Sequence, residues 1–325
     1  MLTVISMEFS IQGCRQQQVM EGMNHTSVTE FILLGITTYS ELEVLLFVIF
    51  TLVYILTLLG NSLICLLIVT VPHLHTPMYY FLCNLSFVDL CYSSSTTPNM
   101  LTNLISVQKT ITFSGCTVQL FCLTLFGNSE CVLLGVMAYG RYVAVCKPLL
   151  YPVIMNQKTC VLFEVATYLW SVLSAVGETI LNFRLYFCRS NIIDHFFCDF
   201  SPLLKLSCSD TTTNEVVIFI FVSFVGISSC GIFTTSHCYI ISAILRIQYL
   251  KGQYKAFSTC ASHFTLVSLF FGTIFIMYLQ PQSNASKAQS KVLSLFYTVM
   301  IPMLNPMIYS YRNHDVKRAL RKLVH

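Results

Sequence analysis

The sequence predicts an all-α membrane protein, a seven-transmembrane helix bundle with a short C-terminal amphipathic helix. Three observations predict it. Of 325 residues, 55% are hydrophobic and only 10% charged, and mean hydropathy is +0.71. A water-soluble domain carries about 25% charge, so lipid is the better solvent for this chain. Seven apolar stretches recur, each near or above the roughly 20 residues that span a bilayer as helix. Lys and Arg are also distributed unevenly between the two sides these stretches define. The net charge of +4 is small and spread out, which gives no argument for nucleic acid.

Residues 1–43 form a tail outside the bundle. Nothing in residues 1–22 places an apolar run behind a basic one, so no cleavable signal peptide is expected. The spans are placed at 44–69, 77–105, 113–140, 159–181, 214–245, 256–279 and 292–311, giving a bundle over 44–311. Span one contains no charge, span two only Asp89 and span three only Glu130. Span four holds Glu164 and Glu178, each near one end. Pro302 and Pro306 are expected to kink span seven. Residues 312–325 set Val316, Leu320 and Leu323 against Lys317, Arg318, Arg321 and Lys322, a pattern for a helix lying on the inner leaflet.

An odd number of spans puts the termini on opposite sides. With the N-terminus outside, eleven of the eighteen Lys and Arg are cytoplasmic, as the positive-inside rule prefers. The sequon Asn24-His25-Thr26 then lies outside, where an N-glycan is attached. The location implied is a plasma membrane, crossed several times, with the C-terminus in the cytoplasm.

Fifteen cysteines are present, most of them apolar fillers within spans. Cys116, Cys188, Cys198 and Cys208 fall outside, and four cysteines allow three pairings. His195, Cys198 and Asp199 have a metal-like spacing. The competing reading puts Cys198 in a disulfide and makes the loop a lid.

Ionisable residues within a membrane usually face the bundle interior. Asp89 and Glu130 lie mid-span at similar depth. Two close carboxylates share a proton or bind a cation. A Na⁺ site is the preferred reading, and a neutral hydrogen-bonded cluster the other. Asn61 and Asn305 complete either one. No other cofactor is expected. Arg141, at the end of span three, is either a snorkelling interface cation or a contact to an internal partner.

Four motifs stand in order on the correct spans. Span two opens with Leu74-His75-Thr76-Pro77-Met78-Tyr79-Tyr80-Phe81-Leu82. Span three ends with Met137-Ala138-Tyr139-Gly140-Arg141-Tyr142-Val143-Ala144-Val145-Cys146. Span six opens with Lys255-Ala256-Phe257-Ser258-Thr259-Cys260-Ala261-Ser262-His263. Span seven ends with Pro302-Met303-Leu304-Asn305-Pro306-Met307-Ile308-Tyr309-Ser310-Tyr311-Arg312-Asn313. Together they closely resemble the odorant receptors among the rhodopsin-like G-protein-coupled receptors, from about Asn24 to the C-terminus.

That resemblance implies a receptor for small volatile odorants that activates a heterotrimeric G protein of the olfactory stimulatory type and raises cAMP. It implies disulfides Cys116–Cys198 and Cys188–Cys208, and Asp89 as the sodium-site aspartate with Glu130 beside it. Arg141 with Tyr142, His237, and Asn305-Pro306 with Tyr309 become the switch residues that face the G protein. Residues 1–22 become an atypical extension. The ligand pocket lies between the outer halves of spans three, five, six and seven. Helical spacing puts Leu123, Thr124, Gly127 and Asn128 on one face of span three. Facing candidates are Phe221, Val225, Phe271, Ile274, Tyr278 and Thr298. No charged group sits clearly in this shell, which argues against acid or amine ligands.

The chain departs from the family at three places. Gly140 stands where the family has Asp, His237 where it has Tyr, and Phe271 where it has Tyr. Loss of the aspartate is expected to free Arg141 and raise basal activity, or to weaken folding. A receptor-like bundle with weak or constitutive coupling is the runner-up. A transporter is disfavoured because no inverted repeat is visible. An intramembrane enzyme is disfavoured because the polar residues make no nucleophile–base pair.

Overall fold

A computed structural model of the protein describes residues 28–37, 39–188, 190–246, 260–261, 264–273, 275–276, 284–312, 316–319 and 321. Asn24, Ile274, Tyr278 and most of span six lie outside the described residues, as does the side chain of Tyr309. The fold is a helical bundle. Span one is Ser40–Thr70, span two Pro77–Ile105, span three Phe113–Cys146, span four Gln157–Phe183 and span five Thr212–Leu245. Span six is described as the helix Phe264–Thr273. Span seven is Asn284–Leu295, a π-helical turn Phe296–Met300, then Ile301–Arg312. Five of these helices are long and apolar enough to cross a membrane.

Local chemistry sets the ends. Glu41 and Glu43 sit in the first turn of span one, where the helix dipole favours negative charge. Pro77 opens span two, a position that needs no N–H. The Thr112 side chain caps span three by accepting from Gly115 N at 3.1 Å. Asn156 caps span four by accepting from Thr159 N at 2.9 Å. In span seven Pro302 follows the π turn, whose wider winding suits a missing N–H.

Span two is the least apolar of the long helices because spans one, three and seven surround it. Its Ser86, Asp89, Ser93, Thr96 and Thr97 are all buried. Span one, by contrast, exposes Leu45, Val48, Leu52, Leu56 and Leu59, the surface expected against lipid.

Three expectations are corrected. Span three continues past residue 140 to Cys146, because Tyr142, Val143 and Val145 keep it apolar until Pro148. Arg141 therefore lies inside the helix and is only 6% exposed, so it does not snorkel. Val316 turns inward: with Ala319 it packs on the bundle core while Lys317 and Arg318 stay exposed.

The third correction is a small sheet within the expected tail and loops. Strand β1 (Glu30–Leu33) pairs antiparallel with β2 (Thr110–Thr112) and parallel with β3 (Ile192–Ile193), in the order β2-β1-β3. Burial alternates along β1, and Phe31 and Leu33 are enclosed. Both disulfides stand at this end. Cys116–Cys198 joins Cα atoms 5.6 Å apart and Cys188–Cys208 Cα atoms 5.9 Å apart. Phe31 stacks on Phe113 at 6.0 Å and meets Phe187 edge-on at 5.6 Å. Lys109 is ion-paired with Glu43.

Candidate functional site

Three layers of polar or aromatic residues cross the bundle from the disulfide end to the tail end. The first is a lid. The loop that follows β3 carries His195, Phe196 and Phe197, all buried, into the top of the bundle. Phe196 and Phe197 belong to one apolar cluster with Leu123, Tyr92 and Val299. Gln119 on span three fastens the lid. It donates to Ser95 O on span two at 3.0 Å and accepts from Cys198 N at 2.9 Å. Lys291 at the head of span seven donates to Asp194 at 2.7 Å and to Gly35 O at 3.2 Å. Burial, then the nearby Lys291, pushes His195 down to about 3, so its imidazole stays neutral. Neither ring nitrogen of His195 has a hydrogen-bond partner among the described residues.

The second layer is the mid-bundle polar core. Asn305 on span seven donates to Asp89 Oδ2 at 2.8 Å and to Glu130 Oε1 at 3.5 Å, joining spans two, three and seven. Both carboxylates are fully buried. Asp89 Oδ1 and Glu130 Oε2 have no partner among the described residues. Beside them Asn61 donates to Pro302 O at 2.9 Å, locking span one to span seven. Gly60 permits that approach, since a Cβ there would meet Pro306 Cγ at 3.0 Å.

The third layer is at the tail end of spans three, five and six. Arg141 lies close to the thiol of Cys260 on span six. Cys260 is buried with Ile240 and Ile244 of span five, against Tyr142, Val145 and Cys146 of span three. Tyr142 lies 5.6 Å from Tyr239 by ring centroid, and Lys147 Nζ sits 5.7 Å above the Tyr142 ring. His237 Nδ1 donates to Phe233 O at 3.0 Å, and its ring lies 5.4 Å from Phe264 of span six. Among the described residues a Cβ at Gly140 would meet only the flexible Met155 methyl, at 3.3 Å.

A family model described as olfactory receptor matches residues 50–325. The chain belongs to the olfactory receptor family. It is 52% identical over 305 residues to olfactory receptor 8U9 of Mus musculus, covering 94% of this chain and 97% of the relative. It is 50% identical to the Homo sapiens receptor of that name, covering 94% and 99%. It is 48% identical to olfactory receptor 5AR1 of Mus musculus, covering 94% and 98%. The crystal structure of squid rhodopsin matches with a TM-score of 0.70 at 18% identity, over 88% of this chain and 81% of that one. That likeness shows the seven-helix fold. The family makes this a multi-pass membrane receptor of the G-protein-coupled class, not an enzyme.

The structure brings some expected receptor residues together and separates others. Leu123 lies under the lid, and Gly127 sits against Tyr92, whose ring would be 3.6 Å from a Cβ. Thr124 spends its hydroxyl on Leu120 O at 3.0 Å, and the buried Thr298 spends its own on Ser294 O at 2.7 Å. Asn128 is half-buried on the same helix. Val225 and Phe271 pack in the main core, where Phe271 meets Phe270 edge-on at 5.4 Å. Phe221 is turned away from this group. Its ring lies 6.0 Å from Trp170, in the seam of spans four and five. The metal-like spacing at His195 fails because Cys198 is bonded to Cys116, and the described residues hold no three-ligand cluster. Sequence reasoning missed Gln119 and Cys260. A glutamine three residues after a disulfide cysteine in an apolar span was the available signal for the first.

Proposed function

We propose that this chain is an odorant receptor for small, mostly apolar volatile molecules, and that it activates the olfactory stimulatory G protein and raises cAMP. The ligand lies beneath the lid, between spans three, five, six and seven, near Leu123, Thr124, Gly127, Asn128, Val225 and Phe271. The disulfide end faces outside with a glycan on Asn24, and the tail end faces the cytoplasm at the plasma membrane. One observation carries this reading: Asn305 bridges Asp89 and Glu130 at the centre of the bundle. A single amide there links three helices that separately reach the lid and Arg141. A ligand with different affinity for two arrangements of those helices shifts the balance between them.

The same carboxylates fit a Na⁺ ion. Two buried, unpartnered carboxylate oxygens need a cation or a proton, and an ion would supply the countercharge. Asp89 and Glu130 would hold it. Arg141, Tyr142, His237, Asn305, Pro306 and Tyr309 would carry the change to the G protein. Gly140 supports a second reading, a receptor with constitutive coupling, because the family has Asp at this position beside Arg141.

The test is cAMP in cells displaying the chain with the olfactory G protein, without ligand and with a broad odorant panel. An odorant-dependent rise is expected. Silence at good surface display, unrelieved by G140D with H237Y, would sink this reading.

A further inference from the structure

Span four carries a buried polar ridge that the proposed site does not use. Its lipid face is apolar, with Leu162, Val165, Leu169 and Leu173 exposed. Its inner face, packed mainly on span three, is polar instead. Ser174, Glu178 and Asn182 follow each other at i, i+4 and i+8 on that face, with Thr179 alongside. All four are at least nine-tenths buried, and Glu178 is 2% exposed.

Lower on the helix the polar groups satisfy themselves. Thr167 donates to Phe163 O at 2.7 Å and Ser171 to Thr167 O at 2.8 Å. Near the disulfide end they do not. Ser174 Oγ, Thr179 Oγ1 and Asn182 Oδ1 have no partner among the described residues. No side-chain hydrogen bond or neighbouring charge among those residues reaches the Glu178 carboxyl. The Asn182 amide is used, donating to Glu178 O at 2.7 Å. Span five is tied in at this level, since Asn214 donates to Leu181 O at 2.8 Å.

The uncommitted atoms are all oxygens. A carboxylate and an amide oxygen only accept, and the two hydroxyls can accept. The two hydroxyls and the second Asn182 N–H could donate to an acid, but the Glu178 carboxylate would repel it. A protonated amine brings a positive charge and up to three donors. An alcohol brings one donor and no charge. An acid within a membrane helix needs a partner, and a ligand can supply it. Glu178 lies about 7 Å below the end of the helix at Phe183, at roughly 1.5 Å per residue.

We propose that Glu178, with Ser174, Thr179 and Asn182, is a subsite for the ammonium group of a small amine ligand. This rests on the odorant-receptor reading and narrows its ligand class. It also reverses the expectation that no charged group serves the ligand shell.

The test uses the full chain in lipid nanodiscs and reads the thermal midpoint, so no G protein is needed. Hexan-1-amine and hexan-1-ol are titrated against the unaltered chain, Glu178→Gln, and Asp89→Asn with Glu130→Gln. The amine is expected to bind the unaltered chain at least about tenfold more tightly than the alcohol, as charge-assisted bonds allow. Glu178→Gln removes that preference, and the Asp89/Glu130 pair of changes keeps it. Equal binding of amine and alcohol would overturn the proposal. So would a preference that survives Glu178→Gln or follows Asp89 and Glu130. If Glu178→Gln does not fold, Ser174→Ala with Thr179→Val must still weaken the amine by about threefold. Amine binding without cAMP breaks the signalling reading alone.

Discussion

The two ends of this bundle are held by different chemistry. At the disulfide end, two covalent bridges, a three-stranded sheet and a knot of phenylalanines converge within the lid. Among the described residues, spans three, five and six meet at the tail end through Arg141 and Cys260, the tilted Tyr142–Tyr239 pair and the aliphatic Ile240 and Ile244. Breaking the first set needs covalent chemistry or unfolding. The described contacts of the second are all noncovalent. A receptor must recognise at a fixed surface and move at a soft one. On the proposed function, the difference in cross-linking fits recognition at the first end and motion at the second.

The largest effect tests the rigid end. Cys116→Ser is expected to abolish surface display, since losing a native disulfide costs about 2–5 kcal/mol. Normal surface levels would show that sheet and aromatic packing suffice without the bridge. Next comes the soft end. Cys260→Ala is expected to raise ligand-free cAMP by roughly fivefold, the shift that about 1 kcal/mol gives. Gly140→Asp is expected to lower it, because the carboxylate has room beside Met155 and adds a negative charge next to Arg141. A fall with Cys260→Ala would show that the thiol favours the signalling form instead.

The third test sits between the ends. Asp89→Asn with Glu130→Gln is expected to erase any Na⁺ dependence of the thermal midpoint, and a persistent dependence would place the ion elsewhere. The smallest effect is at His195. Its ordinary value is 6.5 and burial takes it to about 3, so the unfolded chain binds a proton that the folded lid refuses. The lid's contribution is therefore complete above pH 6.5 and declines as pH falls toward 3. His195→Phe is expected to flatten the thermal midpoint across that range. An unchanged acid profile would move the sensitivity to another group.

The spans were legible because a bilayer demands one composition over one length, and Asp89, Glu130 and Asn305 stand out against it. Their meeting was legible from depth, since helices of known direction bring equal depths together. The sheet was not. Glu30-Phe31-Ile32-Leu33 shows no polar–apolar alternation, and its partners lie far along the chain, so register comes only from packing. Cys260 was hidden among fifteen cysteines whose common role is to fill space. Glu178 was visible as a residue near a helix end. Its missing partner appears only when the neighbours are in place.

The parallel pairing of β1 with β3 sets a timetable for biogenesis. Ile32 is among the first residues of the bundle to be made, yet its partner Ile192 follows span four. Cys116 likewise waits for Cys198, 82 residues later, which at ribosomal speed is roughly 4–16 s. During that interval the edge of β1 that faces β3 has no mate, although Phe31 can already meet Ile111 and Phe113. The cap therefore closes only after four spans have been inserted. A substitution in Glu30–Leu33 is therefore expected to act on closure of the cap, and so on surface display, before any odorant can be encountered.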